Sequence, residues 1–419
     1  MKILWLAAYP SPRITREHPV PWIVTLADLL SRYPRVQLTI LSWNPNQEQP
    51  VEELDNQGIH FIYLRTPTFR QDLLTLYRQR IAITASYLRQ HAHHYDLLHL
   101  HGSELQFPAA AAGLDTPLLL SVQGLVSECV KWVPGLVSWR KVQWLLGGYY
   151  ERKYLPLIPN FSCRTHWDAA HMARFNPKAH IYHNWEPIRE PFFRAAELPR
   201  TVPDGRPVLL FMGGSQVMKG YQETLAAFDI IRQTTDLKLV IAGGHYPNEV
   251  ADAYRRYPLR HLRPGDVEYR GYQTAEQLAQ LCRQAECLIH PSYIDNSPNS
   301  VCEAQVAGLP VVATNVGGVS SLIEDGETGL FAELTPESIA AQVLRLHHSP
   351  ALRARLAARA QAVAHVRHNP ATVLSRTFEI YQAVRYGLEV SPLAIAPAPS
   401  FRPSSNLIRH DAVAQFPAR

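Results

Sequence analysis

The sequence predicts an α/β protein of two doubly wound domains that face each other across a cleft, and three observations carry that expectation. The chain has 419 residues, enough for two cores at roughly 100–200 residues per domain. Its second half alternates short apolar runs with helical patterns, as a parallel sheet covered on both faces requires. The halves also differ in surface chemistry. Residues 1–195 carry 20 Lys/Arg, 15 Asp/Glu and all eight tryptophans, whereas residues 196–419 carry 21 of each charge and no tryptophan.

The expected strands of the second half are Val208–Met212, Lys238–Ala242, Val267–Arg270, Cys287–His290 and Pro310–Thr314. Helical patterns at Tyr221–Arg232, Ala275–Arg283 and Pro298–Ala307 separate them. In the first half, strands are read at Lys2–Ala7, Val36–Ser42, His60–Leu64, Leu97–Leu100 and Pro117–Val122, with helices near Pro21–Tyr33 and Gln71–His91. The opening Met1–Ala8 runs straight into Pro10, Ser11 and Pro12 and reads as a buried first strand, not a signal peptide. The division that follows is a first domain at 1–190, a proline-rich linker at 191–206 and a second domain at 207–365. A helix at 366–390 is expected to return to the first domain, and the Pro/Ser/Ala-rich 391–419 forms a flexible tail.

Composition excludes several classes. At 46% hydrophobic and 18% charged residues, the chain is an ordinary globular one, and no apolar run reaches the ~18–20 residues that span a bilayer. The five cysteines form no CxxC pair, which argues for reduced thiols in a cytoplasmic protein. The net charge of +5 is small and no recognition motif appears, so nucleic acid is not an expected partner.

Two segments point to a ligand. After the strand Val208–Met212 comes Gly213-Gly214-Ser215-Gln216-Val217-Met218-Lys219-Gly220 and then a helix. The glycines would let backbone N–H groups approach an anion, the helix N-terminus adds partial positive charge, and Lys219 adds a full one. The alternative is a tight strand-to-helix turn with a solvent lysine. Further on, Ser297 reads as an N-cap and Pro298 as the first helical residue. That places Asp295 just before the helix and Glu303 in its second turn, among apolar neighbours. A buried acid needs hydrogen-bond partners, and ligand hydroxyls would serve. Asn296, Ser297, Asn299 and Ser300 offer further donors and acceptors for sugar hydroxyls and phosphate oxygens. The alternative for Glu303 is a place on a wet helix face.

At these residues the chain resembles a known family. Asp295 and Glu303 have the spacing of the E-x7-E motif of retaining glycosyltransferases with the GT-B fold. The surrounding HPSYIDNSPNSVCEAQVAGLPVVATNVGGVSSLIEDGETGLF is similar to glycosyltransferase family 4, and the likeness covers about residues 207–345, reaching upstream through Gly271 to Lys219. The resemblance implies two Rossmann-like domains with a nucleotide-sugar donor held by the second. Glu303 would bind the nucleotide ribose, Asp295 the donor sugar, and Lys219 with Gly213 and Gly214 the diphosphate. Asp295, Lys219 and Glu303 are thereby the candidate catalytic residues. No Asp-x-Asp pair occurs in the chain, consistent with a transferase that needs no metal or other cofactor. Three positions depart from the family pattern: Asp295 stands where Glu is usual, Gly214 where an arginine is usual, and Gln123-Gly124 where His-Gly is common.

On the acceptor side the candidates are His101 at a strand C-terminus, Gln123, and Arg164 in Arg164-Thr165-His166-Trp167-Asp168, a run that resembles some polysaccharide-assembling members. Arg164 either reaches phosphate or acceptor, or forms a buried salt bridge with Asp168. The cluster His91, His93, His94, His99 and His101 is read as mostly a helix end, without metal. Residues 131–153 hold five basic residues, one acid and three tryptophans. They suit either an anionic membrane surface or a packed helix pair. The expected activity is retaining transfer of a sugar from a nucleotide diphosphate to a saccharide or lipid-linked saccharide acceptor, in the cytoplasm or on the inner face of the membrane. The alternatives are a nucleotide-sugar epimerase and a non-catalytic saccharide-binding subunit.

Overall fold

The computed structural model describes residues 1–9, 20–133, 139–201 and 205–390. The expected tail at 391–419 lies outside the described residues, as do 134–138 of the basic, tryptophan-rich segment and 202–204 of the linker.

The first domain is built on strands β1 (Lys2–Leu6), β2 (Gln37–Trp43), β3 (Val51–Asn56), β4 (Ile59–Leu64), β5 (Leu97–His101), β6 (Leu118–Ser121), β7 (Asn160–Cys163) and β8 (His180–His183). Their order is β3-β4-β2-β1-β5-β6-β7-β8, parallel throughout except that β3 runs antiparallel to β4. Its helices are α1 (Pro21–Ser31), α2 (Phe69–Leu74), α3 (Arg78–His91), α4 (Phe107–Ala111), α5 (Val126–Cys129), α6 (Trp139–Tyr154) and α7 (His166–Phe175). Strand β1 is paired on both sides, and its side chains alternate between two cores: Leu4 and Leu6 enter one, Ile3 and Trp5 the other.

After α8 (Glu190–Glu197), the second domain contains β9 (Val208–Phe211), β10 (Lys238–Ala242), β11 (Val267–Gly271), β12 (Ala285–His290), β13 (Val311–Thr314) and β14 (Leu330–Ala332). These parallel strands lie in the order β11-β10-β9-β12-β13-β14. Helices α9 (Tyr221–Ile231), α10 (Pro247–Arg256), α11 (Ala275–Gln284), α12 (Asn299–Val306), α13 (Pro336–His347) and α14 (Pro350–Arg367) accompany them, and α15 (Pro370–Tyr386) follows.

Three local readings need correction. The helix expected over Gln71–His91 is two helices, because Leu76 and Tyr77 take left-handed φ values of 51° and 62°, and the Tyr150 hydroxyl donates to the Leu76 carbonyl across 2.6 Å. The linker expected at 191–206 begins as helix α8, whose Phe192 and Ala195 are buried with Val208 and Leu210 in the core of the second domain. A proline at its start suits a helix as well as a hinge. Finally, β3, β7, β8 and β14 went unread. Strand β3 is a half-exposed edge, and the others have only three or four residues.

Helix α15 leaves the second domain and packs on the first, where Ile380 and Tyr381 join the core around Trp5. Asn184 Nδ2 donates to Thr377 Oγ1 at 3.0 Å, and Arg376 Nε to the His183 carbonyl at 3.1 Å. The Trp5 indole donates to the Tyr381 hydroxyl at 3.0 Å, which lies 2.8 Å from His99 Nδ1, while His99 Nε2 lies 2.7 Å from Ser121 Oγ. Since Tyr381 accepts from Trp5, its proton goes to His99 Nδ1, and His99 is neutral with its own proton on Nε2. Burial agrees, lowering the His99 pKa to about 3. Replacing Tyr381 with Phe strands two buried groups. It is expected to lower the unfolding free energy by about 2 kcal/mol, measured by urea denaturation.

Candidate functional site

In an open parallel sheet, ligands settle at the C-terminal strand ends where the strand order reverses. In the second domain that point lies between β9 and β12, and the loops after these two strands meet there. Gly220, with φ +77°, makes the meeting possible: a Cβ on it would stand 2.0 Å from the Pro291 carbonyl. The Tyr293 amide donates to the Met218 carbonyl at 3.0 Å. As a result Lys219 Nζ reaches Asp295 Oδ2 at 2.5 Å. His290 Nε2 lies 3.3 Å from the same oxygen, and His290 Nδ1 faces Ser300 Oγ at 3.2 Å. A third loop closes on the other side, where the Gly318 amide donates to the Asp295 carbonyl at 2.9 Å. A Cβ on Gly317 would come within 1.9 Å of that oxygen. Burial pushes the Asp295 pKa up, but Lys219 and His290 outweigh it and hold the carboxyl well below the usual range.

Glu303, only 4% exposed, sits on α12 and receives Arg189 Nη2 at 2.6 Å and Nε at 3.1 Å. The wet-face reading is therefore excluded, and the partner is a side chain from the start of α8 that sequence reasoning missed. The requirement that a buried carboxylate be paired was the available signal. Two further expectations are corrected. The Gly214 amide donates to the Ala242 carbonyl and that of Ser215 to the Gly244 carbonyl, both at 2.9 Å, so these N–H groups bind the neighbouring loop instead of facing an anion. Gly214 is glycine because a Cβ there would lie 2.4 Å from the Gly244 oxygen, and a Cβ on Gly213 would lie 2.4 Å from the Phe211 ring and 2.9 Å from the Lys219 Cβ. The cap of α12 is Pro298, in extended conformation, so Ser297 is buried one residue outside the helix. Asn299 is half-buried in its first turn.

Asn296 joins the two domains. Its Oδ1 accepts from Thr165 Oγ1 at 2.6 Å, and its Nδ2 donates to Asp168 Oδ2 at 2.8 Å and to the Gln123 carbonyl at 3.3 Å. The His166 amide donates to Ser321 Oγ at 3.1 Å, and Trp132 meets Tyr293 edge-on at 5.6 Å between ring centroids. Arg164 pairs with Glu186 at 2.6 Å, not with Asp168. Its guanidinium also donates to the Val122 and Gln123 carbonyls and to Gln123 Oε1. Asp168 instead accepts the Arg164 and Thr165 amides as part of a capping box. Arg164 and Gln123 thus brace the cleft wall.

His101 is buried, its ring tilted against Trp5 with 4.2 Å between centroids, and its Nε2 lacks a hydrogen-bond partner. It lines a small cavity shared with His99, Gln123, Arg164, Glu186 and Tyr381. Burial first, then His99 and Arg164, drive its pKa well down, so it is neutral. His91 closes α3, and His93 and His94 occupy the short turn after it. Among the described residues no group of three His, Cys, Asp or Glu is disposed to hold a metal ion. Glu104, unread in the sequence, projects beside Gly102 and Gly124 at the ends of β5 and β6. One oxygen accepts the Gly124 amide at 2.9 Å, and the other occupies the space a Cβ on Gly102 would need. Burial, with Glu151 adding, raises its pKa to about 7 against the opposing pull of Arg164.

The Arg189–Glu303 pair is testable by itself. Glu303→Ala leaves a largely buried guanidinium without its carboxylate and is expected to cost about 3–5 kcal/mol of stability. Arg189→Met combined with Glu303→Leu removes both charges and is expected to recover most of that loss. Equal losses in the single and double variants, read from urea unfolding, would show that packing and not pairing sets the cost.

Comparison with known proteins agrees with this geometry. Residues 196–363 match the family described as glycosyl transferases group 1. A D-inositol 3-phosphate glycosyltransferase of Paenarthrobacter aurescens is 33% identical over 133 residues, 30% of this chain and 31% of that one. The chain thus spans about a third of the length of such relatives. A glycogen synthase of Mycobacterium tuberculosis is 28% identical over 302 residues, 70% of each chain. A solved structure of Anabaena Alr3699/HepE in complex with UDP and glucose superposes with a TM-score of 0.64 at 16% identity, covering 91% of this chain and 100% of that one. The chain has the GT-B fold, and its residues 196–363 belong to the group 1 glycosyltransferases.

Proposed function

We propose that the chain is a retaining glycosyltransferase that moves a sugar from a nucleotide diphosphate to a carbohydrate or lipid-linked carbohydrate acceptor. The observation that carries this reading is the convergence of Lys219, Asp295 and His290 at the switch point of the second domain, with Glu303 on the helix that follows. In the free protein Lys219 and Asp295 neutralise each other. A bound diphosphate would take over Lys219, leaving the Asp295 carboxylate to accept sugar hydroxyls. Glu303, held in place by Arg189, would accept from the ribose. The binding of UDP and glucose by the Anabaena neighbour supports a nucleotide-sugar donor.

Chemistry follows from the charge. As the bond from sugar C1 to the phosphate oxygen breaks, negative charge grows on the leaving diphosphate, and Lys219 together with the N-terminus of α12 stabilises it. The acceptor oxygen bonds to C1 on the same face, and its proton passes to the departing phosphate. Asp295 is one methylene shorter than the usual glutamate, so the sugar sits close to the 291–298 loop. On the acceptor side, the second oxygen of Glu104 or the unpartnered Nε2 of His101 would receive an acceptor hydroxyl, whereas Gln123 is engaged by Arg164.

Lys219→Ala is expected to lower turnover by about 10²–10³-fold while changing donor affinity less, because the charge it meets is largest in the transition state. Activity should survive EDTA, and the product should keep the anomeric configuration of the donor, read by NMR. Loss of activity to EDTA with recovery on adding Mg²⁺ or Mn²⁺ would assign the charge to a metal. Epimerised donor without acceptor would favour an epimerase, and donor binding without turnover on any acceptor would favour a binding subunit.

A further inference from the structure

Of the basic, tryptophan-rich segment, only Trp132 takes part in the contacts between the domains, and the outer side of α6 is absorbed by neither these nor the donor site. Helix α6 packs its inner side tightly on α5: a Cβ on Gly147 would stand 3.0 Å from Val126, and one on Gly148 would stand 3.1 Å from Ser127. Its outer side carries Trp139, Val142, Leu145 and Tyr149, spaced every three or four residues and 75, 41, 49 and 50% exposed. The end of α2 adds Leu74, 81% exposed, and the turn after it adds Leu76, tied to α6 by the Tyr150 hydroxyl. A stripe of this size open to water needs a partner.

Charge identifies that partner. Across α2, the turn that follows and α6, the only acids are Asp72 and Glu151, and both point inward. Asp72 is 3% exposed and lies 3.4 Å from Arg80. Glu151 is 1% exposed and accepts Ser103 Oγ and the Val126 and Ser127 amides at 2.6–2.9 Å. The exposed charges there are Arg70, Arg140, Arg152 and Lys153, with Arg78 beside them at the start of α3, all positive. Aromatic and aliphatic groups bordered by cations match the headgroup boundary of an anionic bilayer. The same part of the chain leads back to the cleft through Trp132, which touches Tyr293 of the second domain.

We infer that the outer face of α6, with the turn after α2, docks the protein on an anionic membrane. Docking goes beyond the transfer reaction and brings a lipid-borne acceptor to the first-domain side of the cleft. Among the described residues no helix is long and apolar enough to cross a membrane, so attachment by this face is peripheral.

Co-sedimentation of the full chain with phosphatidylcholine vesicles, and with vesicles one-third phosphatidylglycerol, tests this directly. The protein is expected to pellet with the anionic vesicles only. Raising salt from about 0.1 to about 0.5 M shortens the Debye length and should weaken binding without abolishing it. Arg140→Gln, Arg152→Gln and Lys153→Gln together should weaken it about a hundredfold. Trp139→Ser with Leu145→Ser should remove the salt-resistant part. These side chains are exposed, so an unchanged melting temperature verifies the fold of each variant. Equal, poor sedimentation with both vesicle types would overturn the inference, as would binding that neither set of substitutions alters. Self-association abolished by Trp139→Ser, without vesicle binding, would assign the face to a second copy of the chain. Nucleotide-sugar binding is read separately and is independent of these outcomes.

Discussion

The contact between Lys219 and Asp295 organises the second domain's cleft wall. A lysine on one strand's loop and an aspartate on another's can meet only if the two backbones nearly touch, and Gly220 against Pro291 supplies that approach. The third loop, with Gly317 and Gly318, then holds the Asp295 backbone from behind. The carboxylate is thus fixed in position by main-chain contacts while its charge is balanced by one flexible ammonium. Such an ion pair can open to a polyanion without moving the loop that carries it, which is what a preorganised anion site requires.

Asn296, one residue further on, extends this arrangement to the other domain. Its amide satisfies Thr165, Asp168 and the Gln123 carbonyl together, so the loop that carries Asp295 and the first-domain wall share one polar network. Arg164 and Glu186 continue that network under the wall. Burial raises the Glu186 pKa to about 7 while Arg164 opposes it. Helix α15 adds a second tie by inserting Tyr381 between Trp5 and His99. The relative placement of the two domains therefore rests on side chains close to the cleft, and substitutions there are expected to alter catalysis and domain contact together.

Five strands were legible in each domain, and all ten appear within one or two residues of their expected bounds. Asn160–Cys163 and His180–His183 were missed because their four residues mix polar with apolar side chains, unlike the equally short but wholly apolar Val208–Phe211. Strand and helix patterns placed Lys219 in the loop after β9, Asp295 before α12 and Glu303 within it, and the family resemblance implied that the three share one site. Their partners were not legible: Arg189 and His290 are brought in by tertiary contacts that no local pattern encodes. Glycines were legible as special but not for the right reason at Gly214, whose amide serves the adjoining loop. Arg164 and Asp168 are four residues apart, yet the capping box at Thr165 claims Asp168, and Glu186 takes the guanidinium.

Direct calorimetric titration of the full chain with UDP-, GDP- and ADP-sugars is the measurement closest to the central claim that the Lys219–Asp295 crevice receives a nucleotide sugar. Saturable binding of at least one nucleotide sugar at one site per chain is the predicted result. A folded protein that releases no heat with any of these donors, or with the corresponding nucleoside diphosphates up to millimolar concentration, would contradict it.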